Sequence, residues 1–105
     1  MKKKIYISGP ISGYELGERK EAFAKVKKLL ELKGYEVVNP LENGLPPSST
    51  TFQHMKRDIE LLLECDEIYM MHKWTHSAGC KIEFEIATAI GLPVTFDILN
   101  QVMFV

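Results

Sequence analysis

Helical spacing predicts different surroundings for two glutamates that are close together in the sequence, Glu83 and Glu85. If residues 79–90 form a helix, one face of it is apolar and consists of Ile82, Ile86, Ala87, Ala89 and Ile90. Glu83 lies inside this face, whereas Glu85 lies on the opposite side with Lys81. A carboxylate sheltered by apolar residues can act as a nucleophile or as a general acid or base. We therefore predict a catalytic role for Glu83; the alternative, a glutamate favoured by the helix dipole, accounts better for Glu85.

A second carboxylate, Asp58, is placed in a similar way within residues 52–64. On a helical wheel it lies between Leu61 and Leu62, on the side away from the charged residues. The apolar arc of this helix holds Phe52, Met55, Ile59, Leu62 and Leu63, and the charged face holds Lys56, Arg57, Glu60 and Glu64. Removing a carboxylate from water costs free energy unless a partner compensates for it. Asp58 is thus either a second functional acid or a structural acid that bonds a backbone N–H or an arginine.

Three features of the loops suit the binding of a sugar or an anion. The loop that begins at Ser8 has two glycines and two serines, which can present backbone N–H groups and hydroxyls to an anion. It matches neither the dinucleotide-binding fingerprint nor the P-loop, and a plain strand-to-helix turn is the alternative. Ser77 and Gly79 precede a helix and suit a phosphate or a sugar hydroxyl, unless Ser77 is simply an N-cap. Trp74 either stacks on a base or folds onto the edge of the sheet.

The histidines and cysteines show no metal-binding spacing. We interpret His54, His72 and His76 as structural or surface residues. Cys65 and Cys80 are predicted to be free thiols, with Cys65 buried, because their spacing fits no zinc site and cytoplasmic thiols stay reduced. We predict neither a metal nor a cofactor.

Four short β-prone runs alternate with three segments of helical periodicity. The predicted strands cover residues 4–8, 35–39, 67–71 and 93–96, and the predicted helices cover residues 18–33, 52–64 and 79–90. Such alternation implies an α/β fold, namely a flavodoxin- or Rossmann-like open parallel sheet of about four to five strands with helices on both faces. Ligands of such sheets bind beyond the carboxyl ends of the strands. The loops at residues 8–17, 39–51 and 72–79 should therefore form the site.

The composition is that of one small domain, spanning residues 1–105. Of the 105 residues, 46% are hydrophobic and 26% are charged, which is typical of a globular protein. The formal net charge of −1 argues against a nucleic-acid polymer as partner. No apolar run approaches the roughly 20 residues of a membrane span. The lysines at residues 2–4 are not followed by a sustained apolar segment, so we expect a cytoplasmic protein.

These residues occur in an order that resembles one enzyme family. The run Tyr6-Ile7-Ser8-Gly9-Pro10-Ile11-Ser12-Gly13 is similar to the opening motif of the nucleoside 2-deoxyribosyltransferases and of the related 2′-deoxynucleoside 5′-phosphate N-hydrolases. Asp58, in a helix followed by Cys65-Asp66-Glu67-Ile68, resembles the aspartate before their third strand. Ser77-x-Gly79-x-x-x-Glu83-x-x-x-Ala87 resembles their nucleophile helix. The resemblance runs through residues 4–96 and is closest to short relatives, many of unknown function, that share the run found here from Trp74 to Glu83.

This resemblance implies an activity at N-glycosidic bonds. Glu83 would attack the anomeric carbon of a deoxyribose and expel the base, and water or a second base would resolve the glycosyl-enzyme intermediate with retention. Asp58 would bind the sugar hydroxyls or assist departure of the base, and Tyr6 would position Glu83. The predicted substrate-binding residues are Ser8, Gly9, Pro10, Ser12, Trp74, Ser77 and Gly79. The ligand would be a small nucleoside or nucleotide.

Two alternatives to an enzyme remain open. The first loop lacks the arginine that the phosphate-preferring hydrolases carry, so a non-catalytic nucleotide-binding module on the same fold is the main alternative. The other is a structural protein whose acids are simply paired. A chain of 105 residues has few residues beyond the sheet and its helices with which to cover a nucleoside. We predict that the apolar tail at residues 98–105 is a strand or a docking segment. The resemblance implies oligomers whose neighbours complete the pocket, so we expect a homo-oligomer, at least a dimer.

Overall fold

A computed structural model describes residues 2–97 of the chain, in which four strands alternate with three α-helices. The strands are β1 (Lys4–Ser8), β2 (Glu36–Val38), β3 (Glu67–Met70) and β4 (Val94–Phe96). The helices are α1 (Leu16–Leu32), α2 (Thr51–Leu63) and α3 (Ala78–Ala89), and single 3₁₀ turns cover Pro40–Glu42 and Trp74–His76. None of the helices within residues 2–97 has the length and apolar character needed to cross a membrane. The predicted strand or docking segment at residues 98–105 lies outside the described residues.

The strands form one parallel sheet in the order β2-β1-β3-β4. The chain moves from β1 to β2 in one direction and then returns across β1 to β3, so the strand order reverses between β1 and β3. Ligands of open parallel sheets bind at such a switch point, beyond the carboxyl ends of the strands. Ser8 ends β1 at this point, opposite Met70 of β3. The predicted flavodoxin-like α/β fold is confirmed.

Helices cover both faces of the sheet because side chains alternate along each strand. Ile5 and Ile7 of β1 point toward α1 and form the α1 core, whose other buried members are Phe23, Val26, Leu30, Tyr69 and Met71. Tyr6 points the other way and joins the α2–α3 core, whose other buried members are Leu62, Cys65, Ile68, Met70, Cys80 and Ala87. Both cysteines are free thiols and Cys65 is buried, as predicted, and Cys80 is buried as well.

Local capping chemistry fixes where two of the helices begin. Helix α1 starts at Leu16, two residues earlier than predicted, because the Glu15 carboxylate accepts hydrogen bonds from the backbone N–H groups of Gly17 and Glu18. Helix α2 starts at Thr51, where Thr50 and Gln53 form a capping box. The sequence offers hydroxyl residues at 49, 50 and 51 as caps, and Thr50 is the one that serves.

The buried side of α3 differs from the prediction. Glu83 is buried as predicted, but Cys80 and Ala87 are its buried neighbours on the helix. Ile82 and Ile90, which the spacing assigns to the inner face, are 43% and 54% exposed, and Ala89 is exposed as well. That part of the prediction was wrong because α3 carries apolar residues around most of its circumference. Periodicity alone then does not single out the side that meets the sheet.

Candidate active site

Glu83 is held by two hydroxyl groups of β1. Tyr6 and Ser8 are two residues apart on the strand, so both side chains point to the face covered by α2 and α3. The Tyr6 hydroxyl donates to Oε2 of Glu83 over 2.6 Å, and the Ser8 hydroxyl donates to Oε1, also over 2.6 Å. Each carboxylate oxygen therefore has one charge-assisted hydrogen bond and keeps a lone pair that a ligand can use.

Burial changes the proton affinity of this group. Glu83 is 5% exposed, and the loss of hydration raises its pKa from 4.5 to about 7. The hydrogen bonds from Ser8 and Tyr6 oppose this rise in pKa, and the nearby charge of Asp58 adds to it. Burial, and then the Glu83 charge, raise the pKa of Tyr6 well above its usual range. The phenol therefore stays protonated and keeps donating to Glu83.

Asp58 on α2 is 8% exposed and is close enough to Tyr6 and Glu83 for its charge to act on both. Burial raises its pKa, while the hydrogen bond from Asn43 and the nearby charge of Arg57 on α2 lower it. The Asp58 charge in turn raises the pKa of both Tyr6 and Glu83, so the two carboxyls share one electrostatic environment. The structure thus brings together the three residues that were predicted to be catalytic.

Asn43 is a residue of this site that the sequence reasoning missed. It is 5% exposed, and its Nδ2 donates to Oδ1 of Asp58 over 2.9 Å and lies 3.1 Å from Nδ1 of His54. Asn43 ends the 3₁₀ turn Pro40–Glu42, and Gly44 follows it with a positive φ of 88°. An Asn-Gly pair is typical of a turn, so the turn alone accounts for Asn43 in the sequence and nothing in it predicts the contact with α2. His54, interpreted as a structural or surface residue, contacts the same amide.

At the start of the first loop, Ser8 lies in the site, whereas the next two residues, Gly9 and Pro10, pack on the α1 side. A Cβ at Gly9 would lie 2.4 Å from Sδ of Met71, so a side chain there would force a neighbour to move. Pro10 is fully buried, and its carbonyl oxygen accepts from Nη1 of Arg19 over 3.2 Å. Ser12 is exposed in a turn. Of these predicted binding residues, Ser8 contacts Glu83, whereas Gly9 and Pro10 pack against residues of the α1 side.

Ser77 and Gly79, at the start of α3, have structural partners. The Ser77 hydroxyl accepts from the backbone N–H of Cys80 over 3.2 Å and so caps the helix, which is the simpler of its two predicted roles. A Cβ at Gly79 would be in ordinary contact with Sδ of Met55 on α2, at 3.5 Å. The start of α3 therefore lies beside α2.

Trp74 packs within an aromatic cluster. Its ring centroid lies 4.7 Å from that of Phe84 on α3 and 6.0 Å from that of Phe96 on β4. Because β4 is the outermost strand of the sheet within residues 2–97, Trp74 folds onto the edge of the sheet in this part of the chain. This is the second of its two predicted alternatives.

The profile of one protein family, described as Domain of unknown function (DUF4406), matches residues 3–96. The chain belongs to this family. Among solved structures, that of the 2-deoxyribosyltransferase from the psychrotolerant bacterium Bacillus psychrosaccharolyticus is similar to this DUF4406 chain, with a TM-score of 0.72 and 21% identity. The match covers 96% of this chain and 77% of the other. It shows a shared fold, so the predicted nucleoside 2-deoxyribosyltransferase-like fold is confirmed. A search of curated proteins finds no match.

The groups assembled in this DUF4406 domain suit nucleophilic and acid–base chemistry. A buried carboxyl with two hydroxyl donors stands beside a second acid, which is a combination used for bond cleavage at carbon. Nowhere in residues 2–97 do three or more metal-ligating side chains come together. A cavity of about 600 Å³ lies beside α1 and is lined by Val26 and Met71 of the α1 core, and neither Asp58 nor Glu83 lines it. The buried carboxyl of Glu83 lies on the other face of the sheet, with Tyr6 and Ser8.

Proposed function

We propose that this protein acts in the cytoplasm on a small nucleoside or nucleotide. It cleaves the N-glycosidic bond and passes the sugar to water or to a second base, with Glu83 as the nucleophile. The observation that carries the proposal is the buried Glu83 carboxyl, which has Tyr6 as donor on one oxygen and Ser8 on the other. A carboxylate that forms a bond to carbon needs a fixed direction of approach, and two donors on one strand supply it. The fold shared with a 2-deoxyribosyltransferase adds support.

In the proposed reaction, an oxygen of ionised Glu83 attacks the anomeric carbon while the bond from this carbon to the base nitrogen breaks. The base leaves with the electron pair of that bond and takes up a proton. The sugar is then held as an ester of Glu83. Water releases it as free sugar in a hydrolase, and a second base accepts it in a transferase. Both outcomes retain the configuration at the anomeric carbon.

Asp58 is proposed to bind the sugar hydroxyls or to protonate the departing base. Burial raises the pKa of Asp58, which favours the protonated form that can donate to the departing base. In its ionised form, the charge of Asp58 raises the pKa of Glu83. The two acids would then divide the work, one attacking the sugar and the other assisting the leaving group.

The decisive experiment is incubation with a set of deoxynucleosides and their 5′-monophosphates, followed by chromatography for free base. Glu83→Gln keeps the size of the side chain and removes its charge, so base release should fall on the order of a thousandfold or more. Glu85→Gln, on the exposed side of the same helix, is the matched control and should match the wild type. Unchanged turnover in Glu83→Gln would show that the nucleophile is assigned wrongly.

Two further measurements characterise the nucleophile. Mass spectrometry of quenched reactions should find a sugar adduct on Glu83. Because ionised Glu83 is the attacking form, the rate should rise with pH through about 7, the pKa that burial gives to Glu83. A rate that is flat between pH 6 and 8 would contradict this assignment.

A non-catalytic nucleotide-binding module is the second candidate. Arg19 follows the first loop, and its guanidinium donates to Glu18 and to the carbonyl oxygen of Pro10, so it is engaged within the protein. This candidate predicts saturable nucleotide binding without product, measured by isothermal titration calorimetry. Free base that disappears in Glu83→Gln would exclude it. If the acids are only structural, no nucleotide should raise the melting temperature.

We further propose that the active form is a homo-oligomer, at least a dimer. Helices α2 and α3 leave large apolar side chains exposed, namely Phe52, Leu63, Ile82 and Ile90 (the last just beyond α3). A second copy on this side would shelter them and would add residues around the site. Light scattering should give at least twice the chain mass of 12.0 kDa, and the double variant Ile82→Asp, Ile90→Asp should reduce it. A monomer at all concentrations would contradict the proposal.

A further inference from the structure

We propose that Asn43 is a positioning residue that fixes one oxygen of Asp58 and, together with His54, leaves the other oxygen for the ligand. The inference rests on the proposed function, in which Asp58 binds a sugar hydroxyl or protonates the departing base. Asn43 belongs to the loop between β2 and α2. His54 and Asp58 are one turn apart on α2, so both can face this loop.

The orientation of the Asn43 amide follows from its surroundings. Its Oδ1 accepts from the backbone N–H of Leu45 over 3.0 Å, which the NH₂ end could not do. The NH₂ group is therefore the end that lies 2.9 Å from Oδ1 of Asp58 and 3.1 Å from Nδ1 of His54. A side-chain amide has two N–H donors, and one is available for each of these acceptors. Both N–H groups of the amide thus have acceptors, and the bond from Leu45 fixes which way the amide points.

His54 and Arg57 hold Asn43 in this orientation. Because Asn43 donates to Nδ1 of His54, the imidazole is an acceptor there, which places the proton of the neutral ring on Nε2. Arg57 adds a third link, since its Nε donates to the backbone oxygen of Asn43 over 3.2 Å. The loop is therefore fastened to the turn of α2 that carries Asp58.

Asp58 keeps one oxygen for a ligand. Oδ1 accepts from Asn43, whereas no hydrogen bond to Oδ2 is formed by any group within residues 2–97. In this same part of the chain, every side-chain oxygen or nitrogen that is shut off from solvent has a partner. Oδ2 of Asp58 is therefore in contact with solvent, and it can accept from a sugar hydroxyl or carry the proton for the base.

A positioning role differs from simple anchoring of the loop in one measurable property. The hydrogen bond from Asn43 stabilises ionised Asp58 and opposes the rise in pKa that burial causes. Removing the donor should therefore change the titration of Asp58 as well as the stability of the protein. A loop anchor would change stability alone.

Two substitutions remove the N–H donors of Asn43 while they keep an oxygen that can stabilise the turn. Asn43→Ser keeps an oxygen that can accept from Leu45 but loses both amide N–H donors, and its one hydroxyl is closer to the backbone than the amide was. Asn43→Asp keeps the shape and places a second carboxyl against Asp58. Both should move the midpoint of the Asp58 titration, followed by ¹³C NMR, to higher pH, and Asn43→Asp should move it further. Glu60→Gln, on the exposed side of α2, is the control and should leave the midpoint unchanged.

Base release supplies an independent readout. Each Asn43 variant should lower kcat/KM about ten- to hundredfold, the effect of losing one hydrogen bond to a charged group. His54→Leu should act in the same direction, because Asn43 loses an acceptor that holds it. His54→Asn, whose side-chain oxygen can take the place of Nδ1, should recover most of the rate.

The outcomes distinguish this inference from the function on which it rests. An unchanged Asp58 midpoint in both folded Asn43 variants would overturn the positioning role, whatever the rates. A shifted midpoint in a protein whose wild type releases no base would support the positioning role and overturn the proposed function. If Asn43→Ser does not fold, Asn43→Asp carries the test, since it preserves the hydrogen bond to Leu45.

Discussion

The two faces of the sheet are built from alternate residues of the same strands, yet their chemistry is opposite. The centre of the α1 core is apolar and is formed by Ile5, Ile7, Phe23, Val26 and Leu30. The face under α2 and α3 buries polar residues beside its apolar ones, namely Ser8, Asn43, Asp58 and Glu83. Burying apolar surface stabilises the fold by about 25 cal/mol per Å², whereas burying an ionised carboxyl costs free energy.

The difference teaches that the two faces of this small domain treat their buried charged residues differently, as the proposed function requires. The buried charged residues on the α1 side are paired, Arg19 with Glu18 and Glu67 with Lys3. Glu83 has hydroxyl donors, and among residues 2–97 no cation forms a salt bridge with it. Substitutions on the two faces should therefore have separable effects on stability and on activity.

The largest effect is expected in the α1 core. Phe23→Ala removes a fully buried ring and leaves a cavity, so the free energy of unfolding should fall by about 3–5 kcal/mol. Urea denaturation measures this change. Leu32→Ala, on the same helix but 79% exposed, is the control and should change stability little. The folded fraction of Phe23→Ala should keep the wild-type pH dependence of base release; a shifted pH profile would show that the faces are coupled.

On the opposite face, Glu83→Gln should stabilise the protein at alkaline pH. The pKa of folded Glu83 is about 7, against 4.5 for an ordinary glutamate, so between these values the folded state keeps a proton that the unfolded state has lost. Wild-type stability should therefore fall as pH rises from about 4.5 to 7, by up to about 3 kcal/mol.

Glu83→Gln removes this dependence, so thermal melts should show a gain over the wild type at pH 8 and little difference at pH 4. Glu85→Gln should parallel the wild type at both pH values. A lower melting temperature of Glu83→Gln at pH 8 would instead indicate that Glu83 is a structural acid.

Gly9 packs against the α1 core, and its substitution tests whether its role is steric. Gly9→Ala places a Cβ 2.4 Å from Sδ of Met71 and 3.0 Å from Cζ of Phe23, so the α1 core must shift, at a cost of about 1–3 kcal/mol. Gly79→Ala, where the nearest atom is 3.5 Å away, should leave chemical denaturation unchanged or slightly improved. Equal stability of Gly9→Ala and the wild type would refute the steric role.

The smallest effect is expected for Ser8→Ala. This change removes the donor on Oε1 of Glu83 and leaves Tyr6 on Oε2, so the pKa of Glu83 should rise further. Base release at pH 7 should fall roughly tenfold, and the acidic limb of the pH profile should move to higher pH. Ser48→Ala, on an exposed loop residue, serves as control. An unmoved acidic limb would mean that Ser8 does not act on Glu83.

Much of the fold was predictable because its signals are local. The alternation of β-prone and helical segments predicts every strand and α-helix of residues 2–97 to within two residues at each end. Helical spacing places Asp58 and Glu83 on inner faces, and both are buried. The same spacing was wrong for Ile82 and Ile90, because apolar residues nearly surround α3.

The sequence by itself determined the elements and the two carboxylates that would be shielded from water, because propensity and periodicity act over a few neighbouring residues. Only the tertiary structure decided which groups meet these carboxylates. Tyr6 and Ser8 reach Glu83 across 77 and 75 positions, and Asn43 reaches Asp58 across 15. Such contacts depend on the order of the strands and the path of a loop. These are set by the joint packing of all elements, which no local pattern of residues contains.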